Sequence, residues 1–166
     1  MSGRYAANTE VPVDRSKSEI ESILVRYGAD QFMYGWGQDG AIVGFRLNSR
    51  MIRIKLPLPS RDDPQFQMTE TGRYRKSKDA MQTAYEQAVR QKWRALALVI
   101  KAKLEAIEAG ISTLEDEFLA NVLLPDGTTA GEFMQPQIKS VYQTGKMPAM
   151  LPGLPGNVVG LLEGPK

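Results

Sequence analysis

The chain has 166 residues with 21 Lys+Arg against 19 Asp+Glu, 42% hydrophobic residues, no Cys and no His. Length of this order supports one good core rather than two domains, and the missing Cys and His exclude disulfides, thiolate metal sites and Ser–His or Cys–His nucleophilic machinery. The apolar run at residues 95–100 is far short of the roughly 20 residues that span a bilayer, and the first residues hold no apolar leader, so a cytoplasmic chain without membrane attachment is expected.

Residues 1–14 read as a loose, extended arm. Ser16 and Glu19 have capping-box spacing ahead of an apolar stripe at Ile20, Ile23, Leu24 and Tyr27, which predicts a short helix stopped by Gly28. Three antiparallel strands follow at 31–36, 41–47 and 50–57, joined at Asp39-Gly40 and Asn48-Ser49, residues that tolerate tight-turn geometry. A two-residue Asn48-Ser49 loop sets Phe45 opposite Ile52, Val43 opposite Ile54 and Ala41 opposite Leu56. Phe32, Tyr34 and Trp36 join that face whether the first loop has two residues or four, because both lengths keep parity. The other face carries Met33, Gly35, Ile42, Gly44, Arg46, Met51, Arg53 and Lys55, and reads as open and basic at one edge.

Pro57, Pro59 and Pro64 mark the exit from the third strand, with a possible edge strand at 65–69. Residues 77–109 form the longest helical signal. Ser77 is a cap and Gly110 a stop, and no Pro or Gly interrupts a run that would reach roughly 50 Å. Its middle, from Trp93 through Leu104, shows almost no polar face and is expected to be wrapped on most sides. Two shorter helices follow. One opens at a Ser112/Glu115 box and runs to about Val122. The other opens at a Thr129/Glu132 box and runs to about Thr144, with Pro136 as a kink or break. Residues 146–166 hold eight Pro or Gly among 21 and form a tail that cannot fold alone. The fold class is therefore α+β in a single domain over residues 1–145, with the first and the long helix on the Phe45/Ile54 sheet face. Trp36 and Trp93 are both assigned to the core.

Charge is distributed unevenly. Residues 1–76 carry 12 Lys+Arg against 9 Asp+Glu, residues 77–109 carry 6 against 4, and residues 110–166 carry 3 against 6. A basic body with an acidic C-terminal third suits a polyanion partner. Three cation groups are candidates. Arg73, Tyr74, Arg75, Lys76 and Lys78 place four cations and one aromatic at a helix start, where backbone N–H groups favour phosphate and Tyr74 can stack on a base. Arg46, Arg53 and Lys55 lie on the open sheet face, with Arg50 near the hairpin end. Arg90, Lys92, Arg94, Lys101 and Lys103 mark a wet stripe on the long helix. Asp62-Asp63 and Glu115-Asp116-Glu117 are the carboxylate groups that Mg²⁺ would need, but a polar loop and a helix first turn account for them.

The blocks VPVDRSKSEIESILVRYGA (11–29), AYEQAVRQKWRALALVIKAKLEAIEAGI (84–111) and LPDGTTAGEF (124–133) resemble an uncharacterised family of small proteins of tailed-phage and prophage genomes. That resemblance implies a phage context and no particular activity. The order helix, three strands, basic-headed helix is also similar in topology to the double-stranded RNA-binding domain, with Arg75, Lys76 and Lys78 in its phosphate-contacting place. Here the connection before the helix is long and the Gly-Pro-His signature of the first hairpin is missing.

Two functional readings follow. In the first, this is a non-catalytic phage-type accessory protein that binds nucleic acid through the basic loop, the helix start and the sheet face. The alternative is a protein-binding module: an inhibitor of a host defence or processing enzyme, or an assembly component. It would use an overhanging stripe at Tyr85 and Val89, or at Ile107, together with the apolar tail. A second copy would cover that stripe, so a homo-oligomer is expected. Neither reading calls for an enzyme, a cofactor or a metal.

Overall fold

A computed structural model describes residues 6, 9–37, 40–68 and 77–146. Asn48 and Ser49 both adopt left-handed backbone angles, φ 47° and 62°, and close the hairpin between β2 (Gly40–Leu47) and β3 (Arg50–Leu56). Positive φ at both central residues is what a two-residue loop matched to strand twist requires. The pairing follows as expected: Phe45 opposite Ile52, Val43 opposite Ile54, Ala41 opposite Leu56. β1 (Gln31–Gly37) pairs with β2 in a register ending at Gly37 opposite Gly40, so the first loop is the shorter of the two lengths that parity allowed. The three strands form one antiparallel sheet in the order β1-β2-β3.

Alternation along β2 buries Ala41, Val43, Phe45 and Leu47 on one side, and two helices cover them. The first, α1 (Val13–Arg26), starts four residues earlier than the Ser16/Glu19 spacing predicted. Pro12 precedes it in an extended conformation, φ −60° and ψ 152°, and no side-chain cap bond is made there. Ser16 instead continues the apolar stripe inward and is fully buried, and Glu19 turns to Arg94. The Gly28 stop is present, with φ 88° and the Ala29 N–H donating to the Leu24 carbonyl. The arm is less loose than expected where it is described: the Gln87 side chain donates to the Thr9 carbonyl and Val13 packs on the core.

The connection after β3 holds a one-turn helix, α2 (Pro64–Gln67), where a fourth strand was possible. Asp63 accepts from the Gln65 N–H and Pro64 sits at the first helical position, so cap and Pro together start a helix. Phe66 is buried and meets Tyr85 edge-on. The long helix, α3 (Lys78–Glu108), is continuous over 31 residues with Ser77 accepting from the Ala80 N–H. It buries Trp93, Leu96, Ala97, Ile100 and Leu104 against the sheet and α1. Tyr34 meets Trp93 edge-on at 5.7 Å and donates its hydroxyl to the Lys17 carbonyl at 2.6 Å.

The remainder wraps the β3 edge. α4 (Leu114–Phe118) is opened by a Thr113/Asp116 box, one residue later than predicted, because Ser112 is engaged with Glu117 instead. Phe118 inserts edge-on against Phe45 at 5.7 Å, and a 3₁₀ turn at Leu119–Asn121 replaces the expected longer helix. Val122 then bridges Ile52, the Leu123 N–H donates to the Met51 carbonyl, and Asn121 Nδ2 donates to the Arg53 carbonyl. These bonds satisfy an edge that would otherwise be left open to another chain. Thr129 and Glu132 form the predicted box at the start of α5 (Ala130–Thr144), which runs through Pro136 without a break to Gly145 at φ 68°. Apart from Lys146, the apolar tail lies outside the described residues.

Candidate functional site

Of the predicted basic loop, Arg73, Tyr74, Arg75 and Lys76 lie outside the described residues. Lys78 is exposed in the first turn of α3, beside the Ser77 cap and close to Asp79. It lines a shallow groove with Arg61, Asp62, Gln67 and Tyr85, in which the Arg61 guanidinium stands 5.1 Å over the Tyr85 ring.

The basic sheet face is neither open nor uncompensated. Arg46 makes a two-pronged ion pair with Asp30, at 2.7 and 2.5 Å, and this holds the Asp30 carboxyl below its usual range. Arg53 donates to the Gly127 carbonyl at 2.8 Å and to Glu132 at 2.6 Å, and Lys55 pairs with the other oxygen of the same carboxylate. The Lys55 hydrogen bond, the Thr129 N–H and the Arg53 charge together hold Glu132 down to about 2. Glu132 is thus a hub that fastens the start of α5 onto the outer side of the sheet. The cations expected to meet a polyanion are joined to the chain's own acidic third, which the charge count had hinted at and the linear sequence could not pair.

The predicted wet stripe of α3 divides similarly. Arg94 bonds Glu19, Lys103 bonds Glu117 and Arg90 bonds Gln87, which leaves Lys92 and Lys101 exposed. Three of the five carboxylates considered for Mg²⁺ have structural partners as well: Asp63 caps α2, Asp116 completes the Thr113 box, and Lys103 and Ser112 hold Glu117.

The largest departure from expectation is on α3 itself. The helix is not wrapped at its middle: Leu98 is 41% and Val99 47% exposed, and Ala102 is exposed as well. The stripe expected to overhang is the covered one. Tyr85 lies under Phe66 and Arg61, while Val89 and Ile107 pack on the core. The opposite side is half-buried up to Ala95 and bare from Leu98 onward. Positions 84, 88, 91, 95, 98, 102, 105 and 109 follow 4-3 spacing, so they line one side of the helix, and all but Gln91 and Glu105 are Ala or Leu. Sequence reasoning missed this face because it took a helix apolar on two sides for one buried on all sides, although the spacing was legible. A groove of about 680 Å³ runs beside it, between Ala88 and Ala95 of α3 and the Pro57-Leu58-Pro59 segment.

Trp36, assigned to the core by parity, is 83% exposed because it stands at the end of β1 beyond the reach of both helices. Met33, 56% exposed, folds over Gly44 on the outer sheet face.

No described helix is long and apolar enough to cross a membrane, and the described residues hold no group of three or more acidic side chains placed to bind a metal ion. What the geometry defines is an α+β chain with a one-sided sheet and a long helix bearing a second apolar face. Compared with protein-family models, curated proteins and solved structures, the chain matches none.

Proposed function

We propose that this chain is a non-catalytic accessory protein, of phage type on the resemblance of its three sequence blocks, that works by protein contact through the outer face of α3. The observation that carries the reading is the exposure of Leu98 and Val99 at the centre of a face that is apolar along most of a 31-residue helix. Single exposed apolar residues are ordinary, but Leu98, Val99 and Ala102 are exposed together on one stretch of the helix, and such a grouping marks an interaction surface. The anionic partners of Arg46, Arg53 and Lys55 support protein contact over nucleic-acid contact, since a polyanion would have to displace them. The test is site-specific photo-crosslinking in a lysate of the native cells, with the crosslinker at position 98 and, as a control, at exposed Glu115. Adducts at 98 and none at 115 are expected; equal labelling at both positions refutes the reading.

One observation keeps nucleic acid as a second reading. Lys78 and Arg61 share a groove beside the start of α3, and the sequence continues directly into Arg73, Tyr74, Arg75 and Lys76. Replacing Arg73, Arg75, Lys76 and Lys78 together by Ala should weaken oligonucleotide binding and flatten its salt dependence. Unchanged affinity removes this reading.

A further inference from the structure

The two edges of the sheet are finished differently. β3 carries Arg50, Arg53 and Lys55, and it is tied by the Leu123 N–H to the Met51 carbonyl and by Asn121 Nδ2 to the Arg53 carbonyl. β1 reads QFMYGWG, seven residues with neither charge nor Pro, and among the described residues no segment pairs with its outer side. Edge strands are ordinarily protected by charge, Pro, a bulge or a covering segment, whereas β1 runs in unbroken register with β2. Hairpin geometry names the groups left free. A two-residue loop closes on a hydrogen-bonded pair, here Gly37 and Gly40. Alternation then turns Gln31, Met33, Gly35 and Gly37 towards β2, and the N–H and C=O of Phe32, Tyr34 and Trp36 outward. The same rule applied from Leu47 and Arg50 turns Met51 and Arg53 outward on β3, and theirs are the carbonyls that Leu123 and Asn121 reach.

We infer that β1 pairs with β1 of a second copy of the chain, antiparallel and two-fold about Tyr34, so that two three-stranded sheets become one. This surface is separate from the outer side of α3 and does not rest on the reading above. In that register Tyr34 lies opposite the partner's Tyr34 and Phe32 opposite the partner's Trp36, and every outward N–H and C=O of the three residues is bonded. The strand's fit to itself favours a second copy over a foreign strand. Trp36, 83% exposed at the end of β1, gains the partner's Phe32 beside it on the same face, a cross-strand aromatic pair. Met33, 56% exposed on the other face, falls opposite the partner's Gly35, where an added Cβ would meet nothing within 4 Å. Sliding the copies by two residues loses this fit: it either sets Trp36 opposite the partner's Asp30 or carries Phe32 past the end of the partner's β1. No like charges meet within the paired strands, because β1 has none. Phe32 and Tyr34 are only half-buried beneath α1, so the helix layer leaves room over this edge. The far edge of each copy is already tied by Leu123 and Asn121, so the pairing closes at two chains, the self-complementary interface that most homodimers use.

The experiment is sedimentation equilibrium of the full chain over a dilution series into the micromolar range, with circular dichroism as a check on folding. The wild type should sediment at twice the chain mass. Trp36→Pro removes an outward N–H and no bond to β2, so it should keep the spectrum and weaken the dimer about thirtyfold through the two intermolecular bonds it deletes. Leu98→Glu/Val99→Glu should leave the dimer intact, since α3 takes no part in it. Disulfide trapping reads the register independently, because the chain has no Cys of its own. Met33→Cys mixed with Gly35→Cys should give disulfide-linked dimers under mild oxidation, since a non-hydrogen-bonded pair brings Cα atoms to about 4.5 Å, and neither variant alone should do so. A wild type that sediments at the chain mass, a dimer indifferent to a folded Trp36→Pro, a dimer that Leu98→Glu/Val99→Glu dissociates, or trapping no greater in the mixture than in either variant alone overturns the proposal.

Discussion

The two faces of α3 should respond to truncation in opposite ways, and Ile100 and Leu98 measure the difference. Ile100 is fully buried between the sheet and α1, so Ile100→Ala removes three carbons from a packed site and leaves a cavity. Such truncations cost 2–5 kcal/mol, and a site held between two layers has little freedom to collapse, so about 3.5 kcal/mol is expected. Leu98 is 41% exposed and belongs to no part of the buried cluster. Full burial of a Leu is worth about 1.5–3 kcal/mol, and the part realised here is offset by the better helix propensity of Ala, so Leu98→Ala should cost less than about 1 kcal/mol. Urea unfolding followed by circular dichroism reads both. A Leu98→Ala cost within about 1 kcal/mol of that for Ile100→Ala would show the helix to be enclosed and refute the two-faced description.

Three further outcomes are expected. Ser49→Gly should stabilise the hairpin by about 0.5–1 kcal/mol, because Ser49 holds φ 62° at a turn position that Gly occupies without a Cβ penalty; the urea midpoint reads it. Phe118→Ala should cost about 3–5 kcal/mol, since the ring is fully buried against Phe45 and anchors the segment that wraps β3, and amide exchange at Leu123, which donates to Met51, should accelerate with it. Glu132 has its pKa lowered to about 2 from an ordinary 4.5, so the unfolded chain takes up this proton first as pH falls. Its contribution is complete above about pH 4.5 and is lost as pH drops towards 2, and Glu132→Gln should therefore show a shallower loss of stability over that window in urea midpoints taken from pH 5 to pH 2.

Parity and turn chemistry made the sheet legible. Asn48-Ser49 fixed one register, and the alternation of Ala41, Val43, Phe45 and Leu47 chose the buried face. Caps were legible where the side chain had no competing role, as at Ser77 and Thr129, and misplaced where burial or a tertiary bond took the residue, as at Ser16 and Ser112. α2 was missed because a Pro followed by Gln and Phe suits an edge strand as well as a helix start, and the Asp63 cap decides between them. The candidate site was least legible. Arg53 and Lys55 lie 79 and 77 positions from Glu132 in the chain, so no local pattern reveals that the basic face carries its own counter-charge. Trp36 shows the limit of parity, which gives the side of a sheet and not whether the covering layer extends that far.

The geometry of the layers explains why a second apolar face remains on α3. Three strands spaced about 4.8 Å apart make a sheet roughly 14 Å wide, while two helices side by side need 8–10 Å between axes and about 10 Å of girth each. α1 and α3 therefore more than fill the inner face of the sheet, and among the described residues no third layer covers the far side of α3 at Leu98, Val99 and Ala102. The segment after α4 does not supply it, because Asn121, Val122 and Leu123 bind the β3 edge and Glu132 holds α5 on the outer side of the sheet. Leu98, Val99 and Ala102 are left facing outward along a helix that spans about 46 Å. A solvated face of that length is ordinarily interleaved with charge of both signs. Here Leu98, Val99 and Ala102 are exposed together, with the exposed Lys92 and Lys101 at the two edges of that side, and a grouping of this kind suits a protein surface better than water.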